Sequence, residues 1–342
     1  MTSHMEIEYC YPNLNYSCAK NPQLPGTRAA LYIFISFCIT VTICGNLVVI
    51  ISISHFRQLH SPTNVMVCSL AVADFLVGFI VMPLSMIRSI ESCWYLGSLI
   101  CKIHSGCDMM LCTSSLFHLS FIAVDRYCAV CDPLLYYRRI TVNTALLLVL
   151  ISWTLPFVFA FGVVLSETNL NGIEEYTASL SCLGQCMLLF NKLWGILASV
   201  IAFLVPGTAM VLIYVKIFSV ARRHVRVINM RADNLQQADK SKSLDSRKNE
   251  SKAAKTLGIV MGTFILCWFP FFVVTAVDPF LNFATPAILF DLFIWLGYFN
   301  STFNPILYSL FYPWFQKALH ILATGKIFRN DSSTMTLFQV NI

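Results

Sequence analysis

Charged residues are scarce in this 342-residue chain: Asp, Glu, Lys and Arg make up 12% of it, while hydrophobic residues make up 57%. The mean hydropathy is correspondingly high, at +0.70. A water-soluble protein of this length cannot bury so much apolar surface. The composition therefore excludes a soluble enzyme or a soluble binding module and indicates a membrane protein.

Several signatures of catalysis and targeting are also missing. The sequence has no HExxH, no GxSxG and no paired intramembrane aspartates of the catalytic kind, so we do not expect an enzyme. Residues 1–28 are polar and hold no apolar core of signal-peptide length, so we expect the first helix to direct membrane insertion. No cysteine follows Cys267, which argues against a palmitoyl anchor after the last helix.

Long apolar runs dominate what is present. Each is at least about 20 residues long, enough for a helix to cross a hydrocarbon core of about 30 Å. The runs cover residues 29–54, 64–88, 98–124, 143–165, 193–221, 254–281 and 287–312. We therefore predict an all-α membrane protein built as a bundle of seven transmembrane helices.

The polar segments complete the predicted organisation. We expect an extracellular tail at 1–28, a transmembrane domain at 29–312 with a cytoplasmic loop at 225–251, an amphipathic helix at 313–324 and a cytoplasmic tail at 325–342. Most lysines and arginines lie in cytoplasmic segments when the N-terminus is outside, as the positive-inside rule requires. The net charge of +6 therefore reflects topology, and we expect no nucleic-acid partner.

Two acids lie deep within the apolar runs, Asp74 in "SLAVADFLVG" and Asp108 in "SGCDMMLC". An ionisable residue inside a membrane is costly and indicates a functional site. A hydrogen-bonded structural role for Asp74 and a solvated helix end for Asp108 are the plainer alternatives. The sharper interpretation is that Asp108 is the counter-ion for a cation that enters from outside. At the cytoplasmic end of the same run lies "DRY", Asp125–Arg126–Tyr127.

These motifs resemble those of class A (rhodopsin-like) G-protein-coupled receptors over nearly the whole chain. The residues that carry the resemblance occur in order along the predicted helices: "GN" at 45–46, "LAVAD" at 70–74, Cys101, "DRY" at 125–127, Trp153, Pro206, "CWFP" at 267–270 and "NPILY" at 304–308. "NSTFNPILYSLFYPWF" at 300–315 further resembles the seventh-helix fingerprint of trace amine-associated receptors. This resemblance implies a receptor for primary, mono-cationic amines.

The resemblance also assigns residues to the ligand pocket. Asp108 would bind the ammonium group and Tyr298 would hydrogen-bond that carboxylate, while aromatic faces would contact the ligand by packing or cation–π attraction. No acid occurs at 197–203, which disfavours a diamine such as cadaverine. The other expected pocket residues are Trp268, Phe271, Phe272, Ser199, Thr275, Met109, Cys112, His104, Arg88 and Trp295.

Further sites follow from the same resemblance. An allosteric sodium site would consist of Asp74, Ser115, Asn300, Ser301 and Asn304, whose oxygens suit a hard cation. No other metal or cofactor is expected. Activation would involve Asp125, Arg126, Tyr127, Tyr214, Glu250, Pro270 and Tyr308.

The outer face of the predicted bundle is rich in cysteine. Sequence alone does not fix the pairing, and the resemblance gives Cys101 either Cys186 or Cys182 as its partner. The resemblance favours Cys101–Cys186 and Cys18–Cys182 and leaves Cys10 unpaired. Asn15, in "NYS", is the expected glycosylation site.

The predicted partners are a small amine and a heterotrimeric G protein, of the Gs or Golf type that raises cAMP by family analogy, with arrestin and receptor kinases as further candidates. The expected location is the plasma membrane. Two alternatives stay open: a serotonin- or adrenergic-type receptor, against which the seventh-helix fingerprint argues, and an organic-cation transporter, against which the absence of an inverted repeat argues.

Overall fold

A computed structural model describes residues 8–232, 258–311, 313–329, 332–335 and 337. The described residues form a helical bundle with the predicted spans, which we number in chain order. The helices are α1 (Pro25–His55), α2 (Pro62–Leu76), α3 (Met82–Glu91), α4 (Gly97–Cys131), α5 (Pro133–Arg139), α6 (Val142–Ser166), α7 (Glu174–Leu180), α8 (Lys192–Ser199), α9 (Val205–Ala232), α10 (258–277), α11 (Ala287–Phe311) and α12 (Pro313–Ala323).

Two of the spans are helices interrupted by a π-helical turn. Val77–Val81 joins α2 to α3, and Val200–Leu204 joins α8 to α9. Each turn ends two residues before a proline, Pro83 or Pro206, which cannot donate the usual backbone hydrogen bond. The first to seventh spans are thus α1, α2–α3, α4, α6, α8–α9, α10 and α11.

Six of these spans are long and apolar enough to cross a membrane by length and composition alone. The seventh, α11, is not among them, because it carries buried polar residues that lower its hydropathy; these include Asn300, Ser301 and Asn304. Large apolar side chains remain exposed around the bundle, for example Phe37, Leu212 and Leu266. Such a surface is stable only against lipid.

The third span lies at the centre of the bundle. It packs against α2, α6 and α9, and its inward residues join a core that extends across all the neighbouring spans. Leu116 and Ala123 are fully buried in this core. Since α4 is one continuous helix of 35 residues, it links the outer and inner ends of the molecule rigidly.

The outer face is closed by covalent links between the tail and the loops. Disulfides join Cys101 to Cys186 and Cys18 to Cys182, the pairs that the resemblance implies. A third disulfide joins Cys10 to Cys93, so the expectation that Cys10 is unpaired is wrong. Backbone bonds reinforce these links, since Cys18 N donates to Leu183 O at 2.9 Å. Asn15 is exposed within this outer cap.

At the cytoplasmic end, α12 packs beneath the first and seventh spans. Its buried face consists of Trp314, Phe315, Ala318 and Ile321, whereas Leu319 is 44% exposed.

The chain then folds back towards the first cytoplasmic loop. Leu337 N donates to Gln58 Oε1 at 2.9 Å, and Ser332 Oγ lies 2.9 Å from His55 Nε2. The fifth span extends to Ala232. The rest of the predicted loop at 225–251, with Glu250, lies outside the described residues.

Candidate ligand-binding site and activation contacts

Asp108 is half-buried on the inward face of α4, about two turns inside the Cys101 disulfide. Tyr298 Oη donates to Asp108 Oδ2 at 2.7 Å, and Cys112 Sγ donates to Oδ1 at 3.4 Å. Asp108 has no cationic partner among the described residues. The four ion pairs there are Glu8–Lys20, Glu91–Arg28, Glu167–Lys102 and Asp125–Arg126. The Asp108 carboxylate could therefore form an ion pair with a cationic ligand.

Tyr298 is held in place by the second span. It is completely buried, and Ser85 Oγ lies 3.2 Å from its hydroxyl oxygen. The same serine lies 3.2 Å from His104 Nε2. His104 is 1% exposed, and its Nδ1 has no hydrogen-bond partner among the described residues. Two predicted pocket residues thus meet through Ser85, which the sequence did not single out.

Aromatic side chains form one wall of the site. The ring centroids of Trp268 and Phe271 are 5.9 Å apart, and those of Phe271 and Phe272 are 5.4 Å apart, both with T-shaped geometry. Phe203 stacks on Phe272 at 5.1 Å, although sequence reasoning missed it. Trp295 packs edge-on against Tyr298 at 5.3 Å. These rings could contact both a charged head group and an apolar body.

The remaining candidates occupy different positions. Ser199 Oγ donates to the carbonyl oxygen of Phe272 at 3.0 Å, so its proton ties the fifth span to the sixth. Thr275 is 5% exposed, and its Oγ1 has no partner among the described residues, so it can still bond a ligand. Met109 and Arg88 are half-buried near the carboxylate and at the outer rim, respectively.

A second polar centre surrounds Asp74, which is fully buried. Its carboxylate accepts hydrogen bonds from Ser115 Oγ at 2.9 Å, Ser301 Oγ at 2.7 Å and Asn304 Nδ2 at 2.7 Å. Asn300 is buried nearby on α11, but its Nδ2 has no partner in the described part of the chain. Four of the five predicted residues are thus brought together.

The "DRY" motif forms a compact network at the cytoplasmic end of α4. Asp125 is fully buried and accepts from Arg126 Nε at 2.8 Å, Thr63 Oγ1 at 2.8 Å and Tyr136 Oη at 3.0 Å. Arg126 also donates to the Thr63 hydroxyl. Burial raises the pKa of Tyr136, so its phenol stays protonated and donates. Neither Thr63, in "HSPTN", nor Tyr136, in "CDPLLYY", was predicted to belong to this network.

The other residues assigned to activation lie on the third, fifth, sixth and seventh spans. Tyr127 and Tyr214 are half-buried, and Tyr308 is 6% exposed. The ring of Tyr214 lies against Gly258, where an added Cβ would clash with its hydroxyl oxygen. Pro270 lies inside α10, where its missing amide weakens the helix between Trp268 and the outer end.

The comparisons with known proteins agree with this architecture. The family model described as 7 transmembrane receptor (rhodopsin family) matches residues 45–308. The chain is therefore a rhodopsin-family receptor, a multi-pass protein of the plasma membrane and not an enzyme.

Its similarity to individual receptors is closer still. It is 55% identical to trace amine-associated receptor 4 of Mus musculus, covering 98% of this chain and 96% of that protein. It is 50% identical to trace amine-associated receptor 13c of Danio rerio, with 97% of each chain covered. It is 48% identical to trace amine-associated receptor 1 of Homo sapiens, with 97% and 98% covered. The chain belongs to the trace amine-associated receptor family.

Proposed function

We propose that this receptor detects small primary amines with a single positive charge, and that Asp108 binds their ammonium group. One observation carries the proposal: Asp108 is half-buried between helices, oriented by Tyr298, and without a cationic partner among the described residues. An ion pair in a site of low dielectric is much stronger than in water. Primary amines are cationic at pH 7 and supply three donors to such a carboxylate. The names of the relatives support this class of ligand.

We further propose that ligand binding shifts a two-state equilibrium towards a form that activates a stimulatory G protein of the Gs or Golf type. The support for the G-protein subtype is the resemblance to the family. In the resting form Asp125 retains Arg126. An agonist that binds the active form more tightly than the resting form releases this arginine. Arrestin and receptor kinases are the further partners we propose.

A sodium ion at Asp74 is a separate part of the proposal. The carboxylate and the hydroxyls of Ser115 and Ser301 offer oxygens that suit a hard cation. Asn46, which donates to the carbonyl of Ser301 at 3.1 Å, has a buried Oδ1 with no partner in the described residues. This unpartnered acceptor in the same polar layer is consistent with a bound ion or water.

The test is cAMP accumulation in cells that express the wild type or Asp108→Asn, across primary, secondary and tertiary amines. Asn keeps the shape but not the charge. Removing one member of a partly buried ion pair costs about 3–5 kcal/mol, so potency should fall by at least about 100-fold.

Glu167→Gln is the matched control. It removes an exposed outer acid that is paired with Lys102, and it should leave potency within about threefold, since exposed pairs contribute little. Surface expression is measured in parallel. Equal potency of Asp108→Asn and wild type would refute the ammonium contact. If amines activate the receptor through another G protein without raising cAMP, only the proposed G-protein subtype is refuted.

A further inference from the structure

Two free cysteines lie three residues apart at the cytoplasmic end of the third span. Cys128 and Cys131 are both half-buried on α4, and Cys131 is its last residue. Residues three or four positions apart are neighbours on one helix face, and the other free cysteines have no cysteine at that spacing. These are Cys38, Cys44, Cys68, Cys107, Cys112 and Cys267. The pair begins two residues after Arg126, and neither thiol has been given a role.

The spacing of Cys128 and Cys131 places the two thiols within reach of a disulfide. In an α-helix the Cα atoms of residues i and i+3 are about 5 Å apart, inside the range of about 4.4–6.8 Å that disulfides show. The corresponding Cβ atoms are about 5–6 Å apart, whereas a disulfide requires about 3.5–4.5 Å, so the turn must tighten by about 1–2 Å. The two side chains are already close enough to interact electrostatically.

The position of the pair in the last turn of α4 allows this tightening. Helices often end in a turn of 3₁₀-helix, in which residues i and i+3 are eclipsed. The last turn is closed by a hydrogen bond from Asp132 N to Cys128 O at 3.1 Å. In a 3₁₀ turn the amide of Cys131 replaces that of Asp132 as the donor to the same carbonyl. The carbonyl of Cys128 therefore keeps a partner when the turn tightens.

The turn is accessible from the cytoplasm. Asp132 is exposed, and Leu134 is 96% exposed. Cys131 lies near Asp132 and near Lys216 of α9, whose charges have opposite effects on a thiolate. Oxidation at this position therefore depends on the proximity of the second thiol rather than on unusual acidity of the first.

We propose that Cys128 and Cys131 form a redox-sensitive dithiol, which cytoplasmic hydrogen peroxide converts into a disulfide that favours the active form of the receptor. The Cys131 thiol attacks the peroxide, the O–O bond breaks, and a sulfenic acid and one water form. The Cys128 thiol then attacks the sulfenic sulfur, so the S–S bond forms, the S–O bond breaks and a second water leaves with the thiol proton. Cytosolic reductants reverse the step, as is usual for regulatory disulfides in that compartment.

The helix α5 connects this turn to the network around Asp125. Asp132 is the single residue between α4 and α5, and its carbonyl oxygen accepts from Tyr136 N at 3.0 Å. The Tyr136 hydroxyl donates to Asp125 Oδ1 at 3.0 Å. A 3₁₀-helix rises about 2.0 Å per residue and an α-helix about 1.5 Å, so tightening three residues lengthens the turn by about 1.5 Å.

A shift of that size takes the Tyr136 phenol out of hydrogen-bond range of Asp125. The resting form then loses one of the contacts that orient the carboxylate holding Arg126. The equilibrium should move towards the active form without any ligand. This step rests on the proposed function, in which Asp125 retains Arg126 in the resting form.

The experiment exposes cells that express the receptor to hydrogen peroxide, measures ligand-independent cAMP, then alkylates free thiols and digests the receptor with trypsin. Trypsin cleaves after Arg126 and Arg138, so both cysteines lie in one peptide, 127–138. In wild type this peptide should escape alkylation and be two hydrogens lighter than its reduced form. Ligand-independent cAMP should rise by about 3- to 10-fold, and a cell-permeant reductant should reverse both changes.

Cys128→Ser and Cys131→Ser should each abolish both changes and leave the amine response of untreated cells unaltered. Cys44→Ser is the matched control, because it removes an exposed free thiol on α1, and it should keep both changes. The proposal is wrong if the wild-type peptide stays reduced, if the bridge forms without a rise in cAMP, or if either serine variant of the pair keeps the rise.

Failure of the proposed function gives a different result. If untreated wild type shows no cAMP response to any amine, the proposed function fails, whereas the mass of peptide 127–138 still reports the bridge. Hydrogen exchange of α5 in purified receptor then tests the release of Tyr136. Faster exchange after oxidation would support the present inference, and unchanged exchange in a bridged receptor would overturn it.

Discussion

Gly297 on the seventh span allows Trp268 to lie flat against the helix backbone, and replacing it by Ala should destabilise the receptor. A Cβ at this position would lie 2.6 Å from Trp268 Cζ3 and 2.8 Å from both Cε3 and Cη2. Carbon atoms in good contact are about 3.5–4.0 Å apart, so the indole must move by about 1 Å.

The ring has little room for that movement. Trp268 is 4% exposed and packs against Phe271 and Phe272, and Phe272 in turn stacks on Phe203. Overpacking of this kind costs about 1–3 kcal/mol. The higher helix propensity of Ala offsets about 0.5–1 kcal/mol of this cost, so the net loss of folding free energy is up to about 2.5 kcal/mol.

The assay is thermal unfolding of purified receptor at one scan rate, because unfolding of such proteins is often irreversible. We expect the midpoint of Gly297→Ala to fall by a few degrees. Gly162→Ala is the matched control, since Gly162 lies within α6 and no atom approaches its Cβ position within 4 Å. That variant should be neutral or slightly stabilised. Equal midpoints for the two variants would refute the argument, because the indole would then have free space beside it.

Three further predictions concern other parts of the molecule. Replacing KCl by NaCl at constant ionic strength should raise the unfolding midpoint of wild type but not of Asp74→Asn, because an ion that binds only the folded state stabilises it. Thr63→Val removes a donor to buried Asp125 and an acceptor for Arg126. The resting form should lose about 1–2 kcal/mol of stabilising free energy relative to the active form, which should raise ligand-independent cAMP several-fold. Leu337→Asp charges a residue that is 3% exposed, and it should speed hydrogen exchange of residues 332–335 by at least about tenfold.

Each of these predictions has a control. Sodium stabilisation that persists in Asp74→Asn would place the ion elsewhere. Thr40→Val removes an exposed hydroxyl that bonds only its own helix, at Ser36, and should leave basal cAMP unchanged; equal basal activity of the two valine variants would contradict the role of Thr63. Phe328→Asp alters a residue that is 90% exposed. If it accelerates exchange as much as Leu337→Asp does, the docking of the segment is not what protects it.

The sequence was sufficient to predict the transmembrane spans, because insertion into a membrane requires each span to have a minimum length and an apolar composition. It was also sufficient to single out Asp108 and Asp74, since a carboxylate within an apolar run is costly in a membrane and is seldom present without a function. The expected contact between Tyr298 and Asp108 is present at 2.7 Å. It came from the resemblance, because the two residues are 190 positions apart and no local pattern relates them.

The residues that sequence reasoning missed can be recognised only from contacts that form in the folded structure. Thr63, at the start of α2, and Tyr136, in the short helix α5, carry no local sequence signal, and only folding brings them to Asp125. Cys10 was left unpaired because two bridges were expected, and its proximity to Cys93 depends on how the tail crosses the outer face.

Two of the three outer disulfides join the N-terminal tail covalently to the outer loops, at Cys93 and Cys182, so the tail is not a free end. A protease cut between Cys10 and Cys18 would leave the upstream piece attached through Cys93, while the downstream piece remains joined to α1 by the peptide chain. An epitope tag placed before Cys10 would therefore stay on the cell surface after such a cut and leave only on reduction. Loss of the tag with and without a reductant thus reports, on intact cells, whether the Cys10–Cys93 link has formed.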